Sequence, residues 1–500
     1  MRQGLRVAFL QTLTTEMMGT MHVSAVLKQA GHETRLFLDS QEPDLVQSVL
    51  AWEPDVVGVS IITGMHVWAL QVCRRIKAAA PHVRIVLGGP HATFVPEVIE
   101  RTGIDVVVRG EGDYVMRDLC DALAASDDYT AVPGTWVKDE RGVIHENPMG
   151  ALVNDLDALP FPDRALPYRY PILRNRGNKT FIPGRGCAFP CTFCHNHLAM
   201  RLYKGQGKWA RKMSPENFVE QILDVRDNWG PLRIVSLEND DEILHVRNWV
   251  EPAFTLYAEK VRLPYYVMTR PDSVTDDIAR LLKESGCVGV SMSLETANDR
   301  LRNEVLKKQF DRQDVETAMD CLRRHDIPVK IFNMVGIPGE TLEDALATLE
   351  MNARLKPKWA RCSILQPYPP MDLYQWCKRE GLFKEDFETD DFEFFYLKES
   401  PLDFPGLDRL VNLQKFFSVT AKYPFLLPLV RQLIKVRPNR VYEFLGMVFY
   451  GYFGARFERL TVREFIEFAL ASASFLTRRG SRAGIAPAAP VARTVGEQQA

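Results

Sequence analysis

The chain has 500 residues, 46% apolar and 25% charged, the balance of an ordinary soluble globular protein of two to four domains. A formal charge of -2 with both signs interspersed excludes the basic footprint of a nucleic-acid binder and offers no block of like charge to a membrane, which leaves a small or medium organic substrate. The amino terminus enters a strand-like run instead of a signal-peptide core, and no window holds 18 uninterrupted apolar residues, so a cytoplasmic protein without a transmembrane segment is expected.

Strand-like apolar runs at 7–11, 34–38, 56–61, 84–87 and 106–108 alternate with helical spacing at 23–30, 67–77 and 115–124. This alternation predicts an α/β fold over residues 1–130, a Rossmann-like doubly wound parallel sheet with helices on both faces. Ligands of such sheets lie beyond the carboxyl ends of the strands. Those ends offer Thr12, then Ser60 and Thr63, then Gly88, Gly89 and His91, and finally Gly110, Glu111 and Gly112. Glycines there allow close backbone approach to a bulky ligand, although paired glycines also make plain turns. No Gly-x-Gly-x-x-Gly follows the first strand, so a dinucleotide has little support.

Residues 131–178, richer in proline, glycine, asparagine and aspartate, read as a linker with one hairpin around 135–145. After the next apolar run stands Gly186-Cys187-Ala188-Phe189-Pro190-Cys191-Thr192-Phe193-Cys194-His195-Asn196. Three thiolates on one tight loop hold three irons of a four-iron four-sulfur cluster. The fourth iron then has no protein ligand, and a small molecule can bind it and receive an electron. Zinc is the competing reading, but a structural zinc site closes with four ligands and only His195 or His197 stands on the same loop. Nine cysteines leave an odd one and no secretory signal precedes them, which argues against disulfides.

A second alternation fills residues 179–400, with strands at 180–182, 233–237, 265–268, 288–293, 329–335 and 361–365. The clearest helix between them starts at Ser214-Pro215-Glu216, where Ser caps, Pro takes the first helical position and Glu suits the dipole. Six repeats predict a partial (β/α)6 barrel whose site forms at the carboxyl ends of its strands, and Cys187 lies just past the first. The second strand is followed by the acidic run Asp240-Asp241-Glu242, an acceptor for a cationic amino group or a solvated loop. Arg270 follows the third strand and Glu295 the fourth, where a carboxylate suits two ribose hydroxyls or a cap. Asn333 and Gly336 belong to the glycine-rich turn after the fifth, in which Thr341 caps the next helix. Tyr368 follows the sixth, as a substrate contact or a packed aromatic. Residues 401–479 are mainly helical, with a buried helix expected at 442–457, and 480–500 read as a disordered tail.

The cysteine loop resembles the cluster motif of the radical S-adenosylmethionine (SAM) enzymes. Val86-Leu87-Gly88-Gly89-Pro90-His91 and Val107-Val108-Arg109-Gly110-Glu111-Gly112-Asp113 resemble the cobalamin-binding domain found ahead of many of them. The whole chain therefore resembles the cobalamin-dependent radical SAM enzymes, class B methylases in particular. The resemblance implies that Cys187, Cys191 and Cys194 hold the cluster and that Phe193 lies over the adenine of SAM. It places one of Asp240, Asp241 and Glu242 on the methionine amino group, Arg270 on the carboxylate, Glu295 on the ribose, and Asn333 and Gly336 along the adenine. The strand-end residues of the first sheet, Thr12 to Gly112, would face cobalamin. The Asp-x-His-x-x-Gly motif is absent from the first 125 residues, so cobalt is expected without a protein histidine, His22, His66 and His91 being the candidates. The implied reaction is methyl transfer from methylcobalamin to an unactivated carbon through a 5′-deoxyadenosyl radical, with a low-potential donor of the flavodoxin or ferredoxin type. The alternatives are cyclisation, rearrangement or oxidation with the same cofactors, or a non-catalytic cobalamin or redox sensor.

Overall fold

The computed structural model describes residues 4–237, 243–392, 397–467 and 493–495. Near-continuous apolar runs form β1 (Arg6–Gln11), β2 (Glu33–Leu38), β3 (Val56–Ser60), β4 (Arg84–Gly88) and β5 (Val106–Val108), as strands covered on both faces require. They are parallel and stand in the order β2-β1-β3-β4-β5. The direction of winding reverses between β1 and β3, and such a reversal opens a crevice at the carboxyl ends. The expected hairpin is β6 (Thr135–Lys138) with β7 (Ile144–Glu146). It adds antiparallel to β5, so this part of the linker extends the first sheet.

A two-stranded ladder, β9 (Gly184–Arg185) with β10 (Arg211–Lys212), follows the first strand of the second sheet in sequence. The second sheet contains β8 (Asn178–Thr180), β11 (Ile234–Leu237), β12 (Tyr265–Thr269), β13 (Cys287–Glu295), β14 (Val329–Val335) and β15 (Trp359–Ile364). These six are parallel and ordered as in the sequence, the partial barrel that the six repeats predict. Helices Pro215–Asn228, Arg247–Lys260, Asp276–Glu284 and Arg312–Arg324 bury their apolar stripes on it. Ser214 caps the first of these by accepting the Asn217 N–H at 3.1 Å.

Helices Leu407–Lys422, Leu427–Leu433 and Arg440–Phe457 follow the barrel. The last was expected to be buried, and only one stripe of it is. Phe453, Gly454 and Phe457 pack toward Tyr266 and Trp359 near the amino ends of β12 and β15, while Val441, Phe444, Val448 and Tyr452 are exposed. A helix apolar all round that meets a sheet on one side has no second surface to cover the other. Of the tail expected to be disordered, 480–492 and 496–500 lie outside the described residues. The segment between them forms β16 (Arg493–Val495), parallel to β7, because an open sheet edge offers unpaired N–H and C=O groups to an extended segment. Among the described residues no helix is long and apolar enough to cross a membrane, and all nine cysteines are free thiols.

Candidate functional site

The cysteine loop is held from three directions. At its start Gly186 has φ +81°, and a Cβ there would come within 2.4 Å of the Trp209 carbonyl oxygen, so only glycine fits. In its middle Thr192 donates from its N–H to the Leu306 carbonyl (3.1 Å) and from Oγ1 to the Val305 carbonyl (2.7 Å), and its own carbonyl accepts the Leu373 N–H (3.2 Å). At its end Asn196 Nδ2 donates to Cys194 Sγ at 3.6 Å. Cys191 is buried; Cys187 and Cys194 are half-buried. Burial pushes the Cys191 thiol up to about 11, Lys308 and Arg270 acting against it. Iron or another cation at the sulfur is what would return this thiol to the thiolate. Among the described residues no three His, Cys, Asp or Glu side chains group around a single ion. A cluster carries each thiolate on a separate iron, so its ligands do not meet at one point. One buried and two half-buried thiols, with cations near Cys191 and an amide donor on Cys194, therefore fit an anionic cluster.

Around this loop the structure brings together Arg270, Glu295, Phe193 and a residue that the sequence reading missed, Lys308. Arg270 is buried, pairs with Asp272 at 2.8 Å and stacks on Phe189 of the loop, its Cζ 3.6 Å from the ring centroid. Its Nη1 is buried without a hydrogen-bond partner, a donor that fits a carboxylate brought by a ligand. Glu295 ends β13 with φ +62°, left-handed for a non-glycine residue, at a register shift against β14. Such a conformation costs about 1–3 kcal/mol and concentrates at functional sites. Lys308 pairs with Glu295 at 3.3 Å, and its Nζ stands 5.8 Å from the Phe193 ring. No sequence signal marks Lys308, because only the chain reversal after residue 295 returns it to the strand end.

Asn333 does not join this group of side chains. It points to the helix side of β14, where its amide donates to the Ile331 and Arg361 carbonyls and pairs reciprocally with Asn352 on the helix Leu342–Leu355. A strand turns successive side chains to opposite faces, so a motif position alone does not choose the face. At Gly336, φ +81° makes the turn, and the N–H groups of Gly336 and Ile337 donate to the buried Glu340 carboxylate at 2.7 and 3.3 Å. Tyr368 is half-buried, its ring 5.3 Å from that of Phe392. Asp240, Asp241 and Glu242 lie outside the described residues.

A cavity of about 360 Å³ opens at the carboxyl end of the first sheet, within the range of ligand clefts. Ser60, Gly88, Gly89, Gly110, Glu111 and Gly112 line it, and so do Gly186, His195 and Asn196 of the cysteine loop. A Cβ on Gly19 would meet nothing within 4 Å, and one on Gly88 nothing closer than 3.9 Å; both glycines line the cavity and leave space that a side chain would fill. A bulky flat group resting on bare backbone fits this cradle. Other glycines here answer to the protein itself. A Cβ on Gly110 would reach 1.8 Å from Tyr203 Oη, and one on Gly89 would stand 2.8 Å from the Ile61 carbonyl oxygen.

Three of the expected contacts are placed elsewhere. Thr12, Thr63 and His91 do not line the cavity: the Thr63 hydroxyl bonds His91 Nδ1 at 2.9 Å, and His91 stacks on His66, which faces Asp390. Burial lowers His91 to about 3, so it sits there neutral. Among the three histidine candidates for cobalt only His22 is on the cavity wall. The Glu111 carboxylate, though beside the cavity, is taken up by Arg211, with Arg211 also donating to the Val153 carbonyl at 2.7 Å. Asp113, next along, forms a bidentate pair with Arg185 at 2.6 and 2.9 Å. Arg185 immediately precedes Gly186 and Cys187, so this pair ties the helix at the cavity edge to the root of the cysteine loop.

Residues 181–351 match the Radical SAM superfamily and residues 12–120 the B12 binding domain. An uncharacterized methyltransferase of Pyrococcus horikoshii is 26% identical over 345 residues, 68% of this chain and 72% of that protein. An anaerobic magnesium-protoporphyrin IX monomethyl ester cyclase of Rubrivivax gelatinosus is 26% identical over 461 residues, 87% of this chain and 81% of that protein. Among solved structures, the radical S-adenosylmethionine methyltransferase TsrM of Kitasatospora setae, with cobalamin and an iron–sulfur cluster bound, superposes with a TM-score of 0.62. It is 18% identical, with 75% of this chain and 78% of that chain covered, and shares the fold.

Proposed function

The chain belongs to the cobalamin-dependent radical SAM enzymes, with a four-iron four-sulfur cluster, SAM and cobalamin as its cofactors, and we propose that it transfers a methyl group to an unactivated carbon of a small or medium organic substrate. The observation that carries this reading is the shared wall: the strand ends of the first sheet and the cysteine loop bound one cavity. A radical formed on one side and a methyl group supplied from the other need such a common space, because the reacting atoms must be held within contact distance. When bound, the cluster and SAM supply the radical and cobalamin supplies the methyl group.

In this reading Cys187, Cys191 and Cys194 hold the irons, and Arg270 offers its free Nη1 to the SAM carboxylate. Glu295, fixed by Lys308, accepts from the ribose, while Phe193 and the Gly336 turn lie along the adenine. One of Asp240, Asp241 and Glu242 takes the amino group. Ser60, Gly88, Gly89, Gly110 and Gly112 face cobalamin, Tyr368 meets the substrate, and a cytoplasmic flavodoxin or ferredoxin type protein brings electrons. The cyclase relative, matched over 87% of the chain, favours one second reading, ring closure with the same cofactors. Anaerobically reconstituted protein decides between them. Methyl transfer forms S-adenosylhomocysteine beside 5′-deoxyadenosine and adds one methyl per turnover, whereas product without added mass and no S-adenosylhomocysteine supports the cyclase. Cys191→Ala should abolish 5′-deoxyadenosine in either case, and activity surviving in that variant would refute the radical mechanism.

A further inference from the structure

The C-terminal helices present an apolar surface that nothing in the described chain covers. Phe425 is 77% exposed and Leu429 56%. On the helix Arg440–Phe457, Val441 (64%), Phe444 (61%), Val448 (48%) and Tyr452 (46%) recur at helical spacing along one stripe, opposite the buried Phe453 and Phe457. The two parts are continuous: Tyr423 lies 6.1 Å from Phe425, ring to ring, and Arg456 bonds Tyr452 Oη at 2.7 Å while standing in the field of Tyr423. Soluble monomers rarely leave contiguous apolar patches of this kind without a partner.

The charge around the patch identifies the partner. Residues 422–456 carry six cations, Lys422, Arg431, Lys435, Arg437, Arg440 and Arg456, and one carboxylate, Glu443, in a chain whose overall charge is -2. All six cations are exposed. Arg431 has Glu350 at 3.4 Å, and Glu443 acts on the buried Lys415 beneath the patch. Apolar and aromatic side chains ringed by Lys and Arg are the composition of an interfacial surface that meets anionic lipid. We propose that this face docks on an anionic lipid bilayer.

The observations disfavour other occupants. A second copy about a two-fold axis would set these cations against themselves. The chain's own residues 468–500 hold Arg478, Arg479, Arg482 and Arg493 against Glu497 alone, the wrong sign for the patch. A folded protein partner anchors its aromatics in pockets, whereas Phe425 is 77% exposed and its neighbours Pro424 and Pro428 are exposed with it. Because the opposite stripe of the same helix packs at the amino ends of β12 and β15, a bilayer here holds the barrel by its closed end and leaves the cavity turned away. Docking would thus recruit the enzyme without placing its site in the membrane.

The test is co-sedimentation of the full-length protein with phosphatidylcholine vesicles containing about one-third phosphatidylglycerol, beside pure phosphatidylcholine. Binding to the anionic vesicles that weakens with salt is expected. Arg437→Gln with Arg440→Gln should weaken it about 25-fold, about fivefold for each cation, and Phe425→Ser about tenfold. Both variants change exposed side chains and should keep the parent melting temperature, iron content and activity. The proposal is overturned by no binding, by equal binding to both vesicle types, by variants that bind like the parent, or by a dimer that the same variants dissolve.

Discussion

The Asp113–Arg185 pair offers the most direct measure of how firmly the first sheet's domain is joined to the root of the cysteine loop. Its two hydrogen bonds are 2.6 and 2.9 Å long, the Asp113 side chain is 4% exposed and that of Arg185 20%. Burial works against the charged form of Asp113, but the Arg185 guanidinium outweighs it and holds the carboxyl below the usual carboxylate range. Removing one member of a buried pair strands the other charge, at about 3–5 kcal/mol, so Asp113→Ala and Arg185→Ala should each cost about 3 kcal/mol. The double variant should cost much less than the sum, with a coupling of about 2–3 kcal/mol, since it leaves no stranded charge. Urea unfolding followed by tryptophan fluorescence, on parent, singles and double, measures the cycle. A depressed carboxyl contributes stability that is present above its unfolded value and lost as pH falls through the folded one, so the coupling should vanish only below about pH 4. A coupling under about 0.5 kcal/mol at pH 7, the strength of a solvated surface pair, would refute the claim that this contact joins the helix to the cysteine loop.

Gly110→Ala places a Cβ 1.8 Å from Tyr203 Oη at φ +77° and should destabilise the protein by about 2–3 kcal/mol in thermal unfolding, through the left-handed conformation and the lost Glu111 N–H to Tyr203 bond. Gly112→Ala meets nothing closer than 3.6 Å, so its melting temperature should stay put while its retention of cobalamin, read from the visible spectrum, falls. A drop in stability there would show that Gly112 is needed for the turn alone. Burial pushes the Glu340 carboxyl up to about 8. A raised acid binds its proton more tightly in the folded state, so this part of the stability is full below about pH 4.5 and is lost as pH rises toward 8. Glu340→Gln, which can still accept from the Gly336 N–H, should flatten the melting-temperature profile over that range; an unchanged profile would place the titration elsewhere.

Much of this architecture is legible in the sequence because parallel strands covered on both faces write themselves as apolar runs; the six barrel strands and the five of the first sheet are found within a few residues of their predicted places. The cysteine loop is legible because its chemistry is local. What escapes is whatever depends on a partner far along the chain. Lys308 returns to Glu295 across a turn, Arg211 reaches back a hundred positions to Glu111, and Tyr203 occupies the space that Gly110 vacates. Asn333 shows a second limit, since its place at a strand end does not say that its amide packs on the helix Leu342–Leu355. The helix Arg440–Phe457 shows a third: its composition announces apolar surroundings without saying whether protein supplies them.

The cavity wall built jointly from the first sheet and the cysteine loop makes the occupancy of one cofactor a thermodynamic variable of the other. Iron on Cys187 and Cys194 would immobilise Gly186, His195 and Asn196, which bound the cavity on one side; a loop already ordered spares cobalamin that entropy. Linkage then requires the converse, by the same factor. Cobalamin should dissociate more readily from cluster-free protein, and iron should leave cobalamin-free protein more readily in equal proportion, each measured by equilibrium dialysis. Unequal factors, or none, would mean that the two halves share a boundary without sharing free energy.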